Sequence, residues 1–412
     1  MVGLGSQRAP YVAALAATIV SGLLTYAFLA LVSRALDAEA FDVFSVFWSL
    51  SLLVGFGLFV PLEQELARTR GESTEAVHET LLVGLLFAVV AVVALIAVAA
   101  TDALTLPAGV LLAMVAVALL SPVQYTAKGF LLQRDRIFSH SAATVLENLV
   151  RTGIALTAFI VAFSTGRSDD PTLLAASLVI ALLAGYAWAL VPALGRPLVR
   201  RDPFARRLRV VLAILVPSVV GQALLNAGPL VIDALVATPG ATGAFQATFN
   251  LARLPLFLVL PLQALLIGRM AVQIQSGRGH ELRRMLALLG LGIAGVALVG
   301  ALIGWLIGPW TVELLFGPGR ALPAGDVAAL VAAVCVYVGL VINTQALIVT
   351  GRTRAAGIAW IVALVLSSVA FAAIAPFAGV VSAIALALLV GSLLSWMLTV
   401  AQLRWRTEHA PS

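Results

Sequence analysis

Charge is what this sequence has least of. Asp, Glu, Lys and Arg make up 11% of its 412 residues, while 62% are hydrophobic. So little polar surface cannot coat a water-soluble globule. Cysteine occurs once, as Cys335 in an apolar stretch, which excludes an intramolecular disulfide. Lysine also occurs once, as Lys128, against 24 arginines, a bias that goes with a GC-rich bacterial genome. Histidine is confined to His78, His140, His280 and His409, so no Cys/His metal cluster is on offer and no cofactor is implied. A Gly-x-x-x-x-Gly-Lys-Ser/Thr phosphate loop is missing, which excludes ATP hydrolysis of the P-loop kind. No nucleophile–base pair is recognisable either. These absences point away from an enzyme.

What is present is a series of twelve long apolar stretches, at about 11–32, 42–66, 80–100, 106–127, 140–163, 172–194, 209–236, 244–268, 284–308, 326–349, 355–377 and 379–402. Each is near the ~20 residues needed to cross a ~30 Å hydrocarbon layer. Inside lipid the backbone must satisfy its own hydrogen bonds, so the expectation is helices. The first stretch is too long for a signal-peptide core and is read as a retained helix. The basic residues fall in alternate connections. One set holds Arg8, Arg68, Arg70, Lys128, Arg134, Arg136, the run from Arg196 to Arg209, Arg269, Arg278, Arg283, Arg284, Arg352, Arg354, Arg404 and Arg406. The opposite set holds only Arg34, Arg167 and Arg320. Retained basic loops face the cytoplasm, so the expectation is a multi-pass protein of the bacterial inner membrane with both termini inside. The net +6 charge follows from this bias and implies no nucleic-acid partner.

Six stretches precede the basic connection at 196–208 and six follow it. The expected organisation is an N-terminal lobe over 1–195, this linker, a C-terminal lobe over 209–402 and a cytoplasmic tail over 403–412. Ala40, Phe44 and Leu50 recur as Ala241, Phe245 and Leu251, Arg68 as Arg269, and Ser21 and Thr25 correspond to Gln222 and Asn226. Two halves with an even number of helices and the same starting side are parallel repeats. The fold class expected is an all-α integral membrane protein with about 12 transmembrane helices in two six-helix lobes around a central cleft, which suits alternating access. The longest outer connection, 309–325, carries Pro309, Gly317, Pro318, Gly319 and Pro323 and reads as turns.

Several stretches resemble the Wzx-like polysaccharide flippases of the MATE/MOP transporter superfamily. One is Leu31–Ser45 leading to Pro61-Leu-Glu-Gln-Glu-Leu-Ala-Arg68; another is Val312-Glu-Leu-Leu-Phe-Gly317 followed by Thr350-Gly-Arg-Thr-Arg354. Asp42 stands where relatives usually carry Gly, so the turn before the second helix is expected to differ. The resemblance implies movement of a polyprenyl-pyrophosphate-linked oligosaccharide to the outer leaflet, in the company of polysaccharide polymerase or glycosyltransferases.

Ionisable groups within spans are costly and mark cavities or partners. Arg151 lies mid-span with Asn148 beside it and Glu147 one turn earlier, close enough on one face to pair. That pair alone would explain the arginine; alternatively Arg151 is a cationic wall for pyrophosphate, which suits its planar fork. Arg253, a turn from Asn250 and just before Pro255, has no acid at i±3 or i±4 and is the second candidate. Gln222, Asn226 and Asp233 share a stripe, with Pro217 and Pro229 bracketing the first two; hydrogen bonding between helices is the bland account. Glu63 and Glu65 read as solvated helix-end carboxylates facing Arg68, or as an ion-coupling site together with Asp233. Arg34 is an interfacial anchor beside Asp37 and Glu39, with a cleft role as the alternative. The Gly300, Gly304, Gly308 run needs only close helix packing. Two other functions compete with the flippase. An ion-coupled multidrug exporter would favour an acidic, aromatic cavity, and a membrane-embedded polysaccharide polymerase or ligase would need a large outer loop.

Overall fold

A computed structural model describes residues 8–68, 75–101, 104, 106–194, 204–256, 270, 273 and 279–408. Among them every regular element is helical, and the one backbone bridge, Leu36 to Ser168, is isolated. In chain order the helices are α1 (Arg8–Ala35), α2 (Ala38–Val54), α3 (Val60–Arg68), α4 (Glu75–Ala99), α5 (Ala108–Gln133), α6 (Ile137–Thr165) and α7 (Thr172–Leu194). They continue as α8 (Phe204–Leu235), α9 (Ala241–Ala252), α10 (Gly279–Phe316), α11 (Ala324–Val349), α12 (Thr353–Ala378) and α13 (Val380–Glu408). Counting Ala38–Arg68 as one span, 11 described helices are long and apolar enough to cross a membrane. The expected span over 244–268 is described only through α9 and the turn behind it; residues 257–268 lie outside the described residues. Large apolar side chains cover the outside, as with Phe163 at 86% and Phe377 at 91% exposure, which suits lipid and not water.

The helices overrun the apolar stretches, and this corrects two expectations. Hydropathy places Lys128 and Arg207 in connections, yet they lie within α5 and α8 and are buried or nearly so. Hydropathy ends a span at the first charge, but a helix continues wherever a neighbour supplies the counter-charge. The connection at 309–325 shrinks likewise, because α10 passes through Pro309 to Phe316. Burial of Val312 and Phe316 carries it past the proline. Glu313 then closes the turn, its carbonyl accepting from Gly317 N–H at 2.9 Å and its carboxylate from Gly319 N–H at 3.2 Å.

Packing divides the chain into two compact units, Met1–Gly243 and Ala244–Ser412. Helix α8, which the charge pattern assigns to the second lobe, packs in the first unit against α2, α3 and α4. Residues 196–203 of the expected linker lie outside the described residues.

In the first unit α2 passes into α3 through a π turn, Gly55–Phe59. Pro61 explains it: proline offers no N–H and its ring displaces the carbonyl a turn earlier, so the helix widens. The loosened Phe56 carbonyl accepts from the Ser218 hydroxyl at 2.9 Å, and Gly57 gives α8 room to approach, since a Cβ there would lie 3.6 Å from the Val219 backbone. At the other end of α2, Asp37 caps the helix through Ala40 N–H at 2.8 Å. The turn also pairs with the α6–α7 loop, Asp37 N–H to the Ser168 carbonyl at 3.0 Å and Ser168 N–H to the Ala35 carbonyl at 2.9 Å. In that loop Asp170 accepts from Thr172 N–H at 2.9 Å; the Thr172 hydroxyl and backbone hold its carboxyl below the usual range.

Asp42 lies in α2, within the expected second span. Its carboxylate accepts from the backbone N–H groups of Gly240 and Gly243, both at 2.6 Å. Two charge-assisted bonds from one side chain satisfy the start of a helix and fix the chain as it leaves α8. Asp42→Ala is expected to destabilise the protein by about 1–3 kcal/mol. Thermal unfolding in detergent checks this, and an unchanged midpoint would mean that water replaces the carboxylate without loss.

In the second unit α11 is the central element, packed by α10, α12 and α13. The Gly300, Gly304, Gly308 stripe lies against Val327 and Val331 of α11, as close packing requires. Gly339 of α11 accommodates the Trp396 ring, and Gly391 of α13 lies against Ser367 of α12.

Candidate functional site

The most polar feature of the first unit runs along α6. His140, Thr144, Glu147 and Arg151 are spaced three or four apart, with Asn148 next to Glu147, and so lie along one side of the helix. Each meets a polar or charged group, most of them on a neighbouring helix. His140 Nε2 lies 3.5 Å from Glu63 on α3, and the Thr144 hydroxyl lies 2.6 Å from that of Tyr186 on α7. Glu147 accepts from the Gln124 amide on α5 at 3.0 Å and lies 4.0 Å from Lys128 Nζ. Lys128 Nζ also stands 4.9 Å from the ring centres of both Tyr125 and Tyr186.

Arg151 turns the other way. Its guanidinium donates to the Thr25 hydroxyl on α1 at 2.7 Å and to Asn148 Oδ1 at 2.5 Å. Thr25 in turn donates to Asn148 Oδ1 at 3.0 Å, and Asn148 anchors itself on the Thr144 carbonyl at 2.7 Å. The guanidinium carbon lies 5.1 Å from the Phe28 ring centre and 5.2 Å from that of Trp48, within cation–π range. Among the described residues no carboxylate reaches Arg151, so the intrahelical pair with Glu147 does not form. Lys128, contributed by another helix, takes the carboxylate. Three polar atoms here lack hydrogen-bond partners although they are buried: Arg151 Nε, Trp48 Nε1 and Ser21 Oγ.

Glu65 is not solvated, a second correction. It is 6% exposed, 3.0 Å from Arg207 Nη1 of α8 and 3.9 Å from Arg68, while Arg207 Nε also lies 3.9 Å from Glu79 of α4. Glu63 is half-buried and faces His140 instead of Arg68. Asn226 donates to the Gln222 carbonyl at 3.1 Å and to its side-chain oxygen at 2.8 Å, so these two bond within α8. Asp233 is exposed and lines an apolar groove of about 440 Å³ between α2, α4 and α8. Arg34 is half-buried in the last turn of α1.

The second unit holds the other candidates. Helix α9 stops at a turn on Arg253, whose N–H reaches the carbonyls of Phe249 and Asn250 at 3.1 and 3.2 Å. The Arg253 guanidinium lies over the Phe249 ring at 4.2 Å, and buried Asn250 accepts from the Gln246 amide at 2.7 Å.

Lys128 is the residue that sequence reasoning missed. Its signal was its uniqueness: the only lysine of the chain is the cation placed beside a buried carboxylate.

No protein-family model matches this sequence. No curated protein matches it either. Solved structures match along nearly the full length. An inward-facing multidrug resistance MATE family transporter of the MOP superfamily superposes with TM-score 0.74 at 13% identity, over 97% of this chain and 98% of that one. A MATE in the bent conformation gives 0.66 at 12%, over 99% and 98%. A MOP superfamily transporter from Pyrococcus furiosus, described by the reverse polarity of its binding pocket, gives 0.65 at 14%, over 97% and 94%. The chain therefore has the fold of the MATE/MOP transporters.

Proposed function

We propose that the chain translocates a polyprenyl-pyrophosphate-linked oligosaccharide across the bacterial cytoplasmic membrane by alternating access. The setting of Arg151 carries this reading. It is a cation held inside an apolar helix by neutral oxygens and aromatic faces, with no carboxylate against it among the described residues. A buried donor without an acceptor costs about 1–3 kcal/mol, and Arg151 Nε on α6, Trp48 Nε1 on α2 and Ser21 Oγ on α1 are three such groups. The non-bridging oxygens of a pyrophosphate accept from all of them, and the guanidinium fork binds two at once. Gln222 and Asn226 of α8 serve as neutral contacts to sugar. By the bias of the basic connections the cargo is loaded on the cytoplasmic side, after glycosyltransferases have built it and before a polymerase uses it.

An exporter of lipophilic cations is the competing reading, favoured by the groove in which Asp233 is the one charged lining residue. Pocket polarity varies among proteins of this fold, as the Pyrococcus furiosus transporter is described. Reconstitution in liposomes separates the two. Entry of a fluorescent polyprenyl-diphospho-N-acetylglucosamine into the dithionite-protected leaflet is expected; uptake of tetraphenylphosphonium without lipid flipping would establish the exporter.

A further inference from the structure

The groove that Asp233 lines lies wholly within the first unit, walled by α2, α4, α8 and Leu104. Helix α2 runs antiparallel to α8, with Gly57 beside Val219 and Asp42 bonded to Gly240 and Gly243. Leu58 and Val219 therefore line one end of the groove, and Val46 and Asp233 the other. From Val219 to Asp233 α8 rises about 21 Å. One leaflet of the hydrocarbon core is about 15 Å deep. The groove is thus long enough for one extended lipid chain. Apart from Asp233, every lining residue is Ala, Val or Leu. Walls of that kind suit a flexible alkyl chain, and they lack the ring faces on which organic cations are held.

Electrostatics decides what heads that chain. Asp233 sits in the last turn of α8, where the terminal carbonyls already carry partial negative charge and favour a cation. That turn holds no basic residue, and among the described residues no basic side chain pairs with Asp233. By the bias of the basic connections this is the outer end of the helix, where arginines are scarce. A carboxylate beside a helix C-terminus calls for a cation, and the apolar channel behind it calls for a hydrocarbon tail on the same molecule. We propose that the groove is a lipid site, taking one acyl chain of an outer-leaflet phospholipid whose primary ammonium headgroup donates to the Asp233 carboxylate. An ammonium has three N–H donors, so a charge-assisted hydrogen bond adds to the attraction. Phosphatidylglycerol carries no cation, and the same carboxylate repels its phosphate. None of the lining residues belongs to the Arg151 cluster, so the lipid site stands or falls separately from the headgroup reading. A bound aminolipid also gives Asp233 a partner without any exported cation.

The test is photocrosslinking of the full chain in phosphatidylcholine nanodiscs. These carry a trace of phosphatidylethanolamine or phosphatidylglycerol with a diazirine in one acyl chain, and peptide mass spectrometry maps the crosslinks. Phosphatidylethanolamine is expected to label the α4 and α8 segments that line the groove roughly tenfold more than phosphatidylglycerol does. Asp233→Asn should bring the two lipids to parity while the chain still enters. Ala94→Phe fills the groove from an exposed position on α4 and should remove labelling there by both lipids, with an unchanged melting temperature as the check on folding. Equal labelling of wild type by the two lipids, or a preference that survives Asp233→Asn, overturns the proposal. Transport of tetraphenylphosphonium that displaces the crosslinked lipid and is blocked by Ala94→Phe also overturns it, and gives the groove to the exporter.

Discussion

Arg151→Ala is expected to abolish export of the lipid-linked glycan. Cells lacking the gene should accumulate the oligosaccharide on its carrier in the cytoplasmic leaflet. Wild type should clear it, and Arg151→Ala at matched expression should not. In the proposed headgroup site the guanidinium supplies the cation and several donors, and hydrogen bonds to charged groups contribute about 1.5–3 kcal/mol each. Losing two therefore weakens headgroup binding on the order of 100-fold or more. Alanine also removes the cation that Phe28 and Trp48 flank and leaves Asn148 Oδ1 with Thr25 alone. Arg151→Lys should rescue in part, because an ammonium restores the charge but not the planar fork. Full export with Arg151→Ala would remove the residue from the pathway. Normal glycan export in the deletion strain, with no redundant homologue, would favour the exporter of cations.

The second large effect is on stability. Arg207→Ala leaves the carboxylates of Glu65 and Glu79 buried without the arginine that joins them, their side chains each 8% exposed. Breaking a buried ion pair from one side costs about 3–5 kcal/mol. For a unit of this size that corresponds to a fall in melting temperature on the order of 10 °C. Replacing all three together, Arg207→Met with Glu65→Leu and Glu79→Leu, should recover most of the loss, because packed apolar groups need no counter-charge. Differential scanning fluorimetry in detergent reads both. A single variant within a degree or two of wild type would mean that water reaches these carboxylates, contrary to their burial. The triad is where α8 meets α3 and α4, so its loss should also loosen the first unit at its basic end.

Much of this was legible in advance. The helical spans and their approximate positions follow from hydropathy, and the Gly300, Gly304, Gly308 stripe from its spacing. Arg151 and Asn148 stood out as polar residues in an apolar helix, and they do share one hydrogen-bonded cluster. The partner of Glu147 was not legible. The i, i+4 spacing allows a pair with Arg151, but Lys128 of α5 competes for the same carboxylate, and helix adjacency decides the outcome. Glu65 looked like a solvated helix-end acid because its neighbours along the chain are polar. Its burial depends on Arg207, more than a hundred residues away. Asp42 stood out only as a departure from the Gly of relatives, and its role lies with Gly240 and Gly243, about 200 residues on.

The sequence by itself determined that this chain is a bundle of helices long and apolar enough to cross a membrane, with its basic residues gathered in alternate connections. Hydrophobicity and the backbone's need for internal hydrogen bonds act on each segment separately, so no knowledge of neighbours is required. Tertiary structure alone decided which buried charges neutralise each other and which cation is left, among the described residues, against neutral groups. In an apolar interior a charge is settled by the nearest opposite charge in space, and that distance is set by how helices pack.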